Sequence, residues 1–172
     1  RIGCMVTLKQ AILAREKTDR STRIIISYID LRAFGKGYEE FYRRARDLGV
    51  NFIRGKASSI LEDSKTKNLF IRAEDTSLGE PIQIESEFVV LCTAAIPKKG
   101  SEEVARIFSV SRGADGFFME SHPKLKPIDT PVDGIFLAGA CQGPKDIPYS
   151  VSQGSAAASR AATILSKPKW KI

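Results

Sequence analysis

The chain has a single histidine, His122, and three scattered cysteines, Cys4, Cys92 and Cys141, in 172 residues. One histidine excludes a multi-histidine metal site within the chain. Cysteines this far apart, with no CxxC, exclude the disulfide framework of a small secreted domain and favour a reducing, cytoplasmic setting. No apolar run approaches the roughly 20 residues of a membrane helix, so no membrane span is expected. A strand followed by GxGxxG is also missing, since Gly35 and Gly37 follow no nucleotide-binding strand. No internal repeat, low-complexity segment or secretory leader is visible. The first residue is Arg1 rather than Met, so a processed chain or a piece of a longer one is expected.

What is present is ordinary for a soluble globular protein: 42% hydrophobic and 27% charged residues, enough for a sizeable core without staples. The net charge is +7. Its lysines, such as Lys98, Lys99, Lys124 and Lys126, are dispersed. There is no basic helix and no interleaving of basic and aromatic residues, which argues against a nucleic-acid partner.

Along the chain, Met5–Lys17 reads as a helix with Val6, Ala11, Ile12 and Leu13 as its apolar face. Arg23–Ile29 is a β-branched run suited to a strand of a parallel sheet covered on both faces. Tyr38–Gly49 reads as a helix with acids first, arginines later and Gly49 as its stop. Alternating patterns over Val50–Ser59, Asn68–Asp75 and Ile82–Leu91 then predict antiparallel strands with one wet face. Ser101–Phe108 is a short helix with Ser101 as a partial cap. Short strands are expected at Gly116–Met119 and Ile135–Ala138, then a long helix over Ser150–Leu165 and a tail, SKPKWKI. The order gives an α/β architecture with an inserted meander.

The chemistry concentrates in GIFLAGACQGPKDIPYSVSQGSAAASRAATIL, from Gly134 to Leu165. A strand ends in glycine, where backbone can approach a ligand. Asp146 is placed to cap the following helix, and Pro148 sits where its missing N–H costs nothing. Such a helix entrance suits an anion, or a ring that becomes anionic on reduction. An ordinary strand–turn–helix connection has the same features.

This segment resembles the second flavin motif of thioredoxin-reductase-type flavoproteins, T-x-x-x-G-[IL]-[FY]-x-A-G-D. Thr130, Gly134, Ile135, Phe136, Ala138 and Gly139 match, and Ala140 replaces the aspartate. EFVVLCTAAIP, Glu87–Pro97, resembles the strand-plus-ATG segment of the same superfamily, with Cys92, Thr93 and Ala94 at A-T-G. Three longer stretches, CMVTLKQAILAREK, YIDLRAFGKGYEEFYRRARDLGVNFIRG and GIFLAGACQGPKDIP, resemble the A-type subunit of the heterodisulfide reductases, a large flavin and iron–sulfur protein in which alanine is usual at position 140.

The resemblance implies an α/β, FAD/NAD(P)-binding Rossmann-like fold, incomplete relative to the two-dinucleotide-domain arrangement. Residues 1–95 would be a remnant of the nicotinamide-domain-like unit, without a nucleotide loop or an NAD(P) site. Residues 96–172 would be the C-terminal part of the FAD-binding domain. The implied activity is flavin-dependent oxidoreduction. Electrons would be relayed through FAD toward a heterodisulfide or related disulfide, with flavin-based electron bifurcation.

The implied partners are other heterodisulfide reductase subunits and an electron-donor protein, with a homo-oligomer also allowed. A non-catalytic scaffold derived from the family is the alternative. Carried over residue by residue, Lys36 stands beside the flavin N5 edge, unless it is only a solvated turn lysine. Gly139, Ala140, Gln142, Lys145, Asp146 and Ile147 surround the flavin. Cys4 corresponds to the second cysteine of a [4Fe–4S]-binding pair whose first position is Gly3. It is a ligand only with thiolates from outside this chain and is otherwise a buried structural cysteine. Cys92 and Cys141 are expected to be buried small residues.

Overall fold

A computed structural model describes residues 1–166, so positions 167–172, most of the expected tail, lie outside the described residues. The chain divides into two compact units, Arg1–Thr93 and Ala94–Ile172.

The first unit opens with helix α1, Ile2–Lys17. Leu8, Ala11 and Ile12 are its buried residues. Val6 and Leu13, expected on the core face, are exposed. The spacing of Leu8 with Ala11 and Ile12 is the one that lines a single helical face, and Val6 and Leu13 fall outside it.

Strand β1, Ile25–Tyr28, pairs in parallel with β2, Asn51–Arg54, and helix α2, Tyr38–Asp47, connects them. Such a parallel pair needs a crossover, and a helix supplies it. Ile26 of β1 is buried while Ser27 is exposed, so the strand is not covered on both faces as expected. Leu8, Ala11, Ile12, Ile26, Ala45 and Val50 form one core, walled by Tyr42 and Phe52. The Tyr42 and Phe52 rings meet edge to face at 5.0 Å, a favoured aromatic geometry. Gly49, at φ +83°, ends the α2 segment in the conformation glycine alone adopts cheaply.

The expected strand Val50–Ser59 breaks in two. β2 belongs to the parallel pair, and β3, Ala57–Glu62, starts a separate antiparallel meander with β4, Leu69–Asp75, and β5, Glu80–Ser86. Gly55 marks the break. A Cβ there would overlap the Glu74 carbonyl oxygen, and the Gly55 N–H donates to Tyr28 O at 2.8 Å. The last strand also ends earlier than expected. The Ser86 hydroxyl donates to Phe88 O at 2.8 Å, turning the chain out of the ladder. Beyond it Phe88 is 79% exposed and Ile96 82%, so Glu87–Pro97 forms no strand.

In the second unit, helix α3 spans Ser101–Phe108. Its cap position is Gly100, at φ +92°, rather than Ser101. The serine hydroxyl points back and donates to Lys98 O at 2.7 Å. The two short strands expected next are single bridges instead, Arg112 with Phe118 and Asp129 with Phe136. Neither meets a continuous partner among the described residues, so no ladder propagates. Val110, Phe117, Ile128 and Leu137 are buried here. Helix α4 spans Ile147–Leu165 and begins three residues earlier than the sequence pattern suggests.

Candidate functional site

The site is the turn that leads into α4. Thr130 is buried and organises the approach to it. Its hydroxyl lies 2.8 Å from Val132 O and 3.0 Å from Ile135 O, and it accepts from the Val132 N–H at 3.1 Å. Leu137 N–H donates to Ile128 O at 2.7 Å. These bonds deliver the chain to Gly139, which takes φ +74° and opens a short 3₁₀ turn, Gly139–Cys141. A side chain at this φ would be strained, which explains the glycine.

Beyond the turn, Asp146 caps α4. Its carboxylate accepts from the Tyr149 N–H at 2.9 Å, and Pro148 occupies the first turn. An acidic cap and an early proline are the sequence features that start a helix, and both act here as expected. The Ser150 hydroxyl donates to Asp146 O at 2.9 Å, closing the first turn.

The geometry therefore gathers Gly139, Ala140, Gln142, Lys145, Asp146 and Ile147 at one helix entrance. Ile147 is exposed. Desolvation pushes the Lys145 ammonium to lower pKa, opposed by its electrostatic interaction with the neighbouring Cys141 and Glu120 side chains. Its Nζ stands 5.9 Å from the centroid of the Tyr149 ring. Gln142 turns its amide inward. Its Nε2 donates to Glu120 Oε2 at 2.6 Å and to Pro127 O at 3.2 Å, and its Oε1 accepts from Gln153 Nε2 at 2.6 Å. The bond from Gln142 holds the Glu120 carboxyl below its ordinary pKa. Glu120 lies in no motif of the sequence, and Gln153 lies in the Gly134–Leu165 stretch but outside the residues matched to the flavin motif. The only signal for them is one long amide, Gln153, among the serines, alanines and glycine of α4.

Beside the turn lies a cleft of about 670 Å³, within the roughly 300–1,000 Å³ of small-molecule sites. Ala140 and Cys141 form one wall, Phe117 and Phe118 another, and Pro97 and Val104 are among the rest. Lys98, Lys99, Ser101 and Glu103 also line it, and aromatic surface beside cations fits a flat heterocycle with an ionisable edge.

Lys36 lies in the first unit, in the Gly35–Gly37 turn before α2, and is exposed. Cys4 is partly buried, and its thiol donates to Asp30 O at 3.6 Å. A Cβ on Gly3 would stand 2.9 Å from Cys92 Sγ, so a larger residue at position 3 needs Cys92 to move. Among the described residues no three Cys, His, Asp or Glu side chains come together as a metal site. The described residues by themselves therefore supply no complete ligand set for a [4Fe–4S] cluster, which needs several thiolates. Cys92 and Cys141 are exposed rather than buried. Cys92 lies in the extended Glu87–Pro97 segment, and Cys141 ends the 3₁₀ turn.

Thioredoxin reductase from T. acidophilum superposes with a TM-score of 0.57 over 91% of this chain and 49% of that one, at 17% identity. The fold is therefore the FAD/NAD(P)-binding fold of the thioredoxin reductases. No family model matches the chain.

Among curated proteins, the chain is homologous over 95–100% of its length to the A-type subunits of heterodisulfide reductases. It is 57% identical to the second A-type iron-sulfur subunit of the CoB–CoM heterodisulfide reductase of Methanopyrus kandleri, covering 95% of this chain and 25% of that protein. It is 49% identical to the A-type subunit of the H2/formate:CoB-CoM heterodisulfide,ferredoxin reductase of Methanococcus maripaludis, covering 100% and 26%. It is 43% identical to a protein of Archaeoglobus profundus described as similar to the same heterodisulfide reductase subunit, covering 100% and 24%. The chain spans about a quarter of the length of these relatives. No helix among the described residues is long and apolar enough to cross a membrane.

Proposed function

We propose that this chain supplies the flavin-facing wall of a heterodisulfide reductase-type oxidoreductase that relays electrons through FAD. The observation that carries the reading is the Gly139–Cys141 turn at the capped entrance of α4, beside an aromatic cleft, in a chain homologous to the A-type subunits. The donor set suits a flavin: backbone at a glycine, a helix N-terminus and a partly desolvated lysine.

When bound, FAD supplies reversible one- and two-electron chemistry between a donor and a disulfide acceptor. The chain's own residues do the rest. Gly139 and Ala140 let backbone approach the cofactor without a side chain between. The backbone N–H groups of the first turn of α4, a turn fixed by the Asp146 cap, aim their partial positive charge at the reducible end, where reduction adds negative charge. Phe117, Phe118 and Val104 offer the ring apolar surface in the cleft. Lys145 adds a cation at the same entrance, and Lys36 is the residue proposed to donate at the flavin N5 edge. Ile147 packs against the cofactor.

The partners are other subunits of such a reductase and an electron donor, in the cytoplasm. Splitting of electrons between two acceptors is the finer form of the same reading. A cluster at Cys4 would take its remaining thiolates from outside this chain.

The test is anaerobic purification of the full-length protein that carries this chain, with measurement of its flavin absorbance and FAD-to-protein ratio. One FAD lost or weakened by Gly139→Val or Ala140→Leu is the expected result. A colourless full-length protein that takes up no added FAD overturns the reading and leaves a scaffold role.

A further inference from the structure

Helix α4 carries one buried polar side chain among the described residues, Gln153, which is 8% exposed. Its Oε1 accepts from the N–H of Gly139 at 2.8 Å, the residue that opens the turn. Its Nε2 donates to Gln142 Oε1 at 2.6 Å. Gln142 Nε2 in turn donates to Glu120 Oε2 at 2.6 Å. The line Gly139–Gln153–Gln142–Glu120 is therefore a chain of three hydrogen bonds.

Its direction is fixed by chemistry at both ends. A backbone N–H only donates and an ionised carboxylate only accepts, so each amide between them must accept on one side and donate on the other. A glutamine amide does both with two separate atoms. Glutamate at 153 would keep the acceptor for Gly139 but place a second carboxylate against Gln142 Oε1. Leucine would keep the volume and leave the Gly139 N–H unpaired in a part-buried place, which is costly. Buried polar chains that are fully satisfied specify one arrangement. Here the arrangement they specify is that of the turn.

We propose that Gln153 is a positioning residue for the cofactor: through the Glu120–Gln142–Gln153 relay it fixes the Gly139 peptide against the ring. This rests on the flavin reading above. Gln153 itself need not touch the cofactor. It acts by holding the glycine whose backbone does.

The experiment uses the full-length protein, with FAD as the probe in oxidised and reduced forms. Gln153→Leu is expected to weaken oxidised FAD about fivefold or more, the equivalent of one hydrogen bond. It is also expected to change the ratio of oxidised to reduced affinities, which a purely structural residue would not move. Gln153→Glu, which keeps the acceptor for Gly139 but sets a carboxylate against Gln142 Oε1, has a smaller effect in the same direction, as does Gln142→Leu, which cuts the relay one bond further out. Val151→Ala, an exposed position on α4, leaves both affinities unchanged.

Wild-type affinities in a folded Gln153→Leu protein overturn the proposal while leaving the flavin reading intact. A wild-type protein that binds no FAD overturns both. If Gln153→Leu does not fold, Gln142→Leu decides: unchanged affinities there dismiss the relay.

Discussion

Arg160 grips Asp129 with two nitrogens. Nη2 stands 2.7 Å from Oδ1, and Nε lies 3.1 Å from each carboxylate oxygen. This fork ties α4 to the strand-like segment that carries Thr130. The arginine hydrogen bond is the main cause holding the Asp129 carboxyl below its ordinary pKa. A folded carboxylate that keeps its charge to lower pH than the unfolded one contributes stability above the usual aspartate range, about 3.9. That contribution is lost as pH falls through the depressed folded value. Melting curves across acid pH are expected to rank wild type above Arg160→Lys above Asp129→Asn near neutrality, by a few degrees at most, since the arginine is 43% exposed. The three curves should converge in strong acid. A ranking unchanged down to strong acid would remove the ion pair as the cause.

Gly55 is the most constrained glycine in the first unit. A Cβ there runs into Glu74 O, and no rotamer relieves the clash, because the obstacle is backbone. The Gly55 region also carries Thr76 N–H and hydroxyl bonds to Arg54 O, both 2.8 Å. Gly55→Ala should therefore separate β2 from β4 and destabilise the unit by more than the roughly 1–3 kcal/mol usual for overpacking. Urea unfolding monitored by the Tyr42–Phe52 cluster would register it. A midpoint within error of wild type would mean that Glu74 moves away freely.

Leu8 is fully buried, at 0% exposure, between α1 and the core of Ile26 and Ala45. Leu8→Ala is expected to cost about 2–5 kcal/mol. Leu13→Ala, on the exposed side of the same helix, should cost less than about 1 kcal/mol. Equal costs in denaturant titration would mean that the burial seen for α1 does not govern its stability.

Sequence carries what acts locally. Asp146, Pro148 and Gly49 act on their own backbone neighbours, and the helix entrance they define is legible for that reason. The antiparallel meander is legible because alternation reports one buried face. The break at Gly55 is not, since its cause is the Glu74 carbonyl far along the chain. Val6 and Leu13 look like core by hydrophobicity alone, and only the packing of α2 selects Leu8 instead. The relay through Gln153 is invisible in sequence for the same reason. An amide in a helix of small residues shows its purpose only when Gly139 and Gln142 are brought to either side of it.

The cap of α4 offers the most local test of the site. Asp146 accepts from Tyr149 N–H, a donor that the helix itself cannot satisfy. Asp146→Ala removes the acceptor and is expected to cost about 1 kcal/mol, while Asp146→Asn retains it and costs only a few tenths. Hydrogen exchange at the Tyr149 amide reads this directly. It should quicken about fivefold in the alanine variant, the kinetic image of about 1 kcal/mol, and stay near wild type in the asparagine variant. Because the same first turn follows the Gly139–Cys141 turn proposed to approach the cofactor, FAD affinity of the full-length protein should fall in the alanine variant and stay near wild type in the asparagine variant. Exchange that quickens equally in both variants would mean that the Asp146 charge, not its hydrogen bond, holds the entrance together.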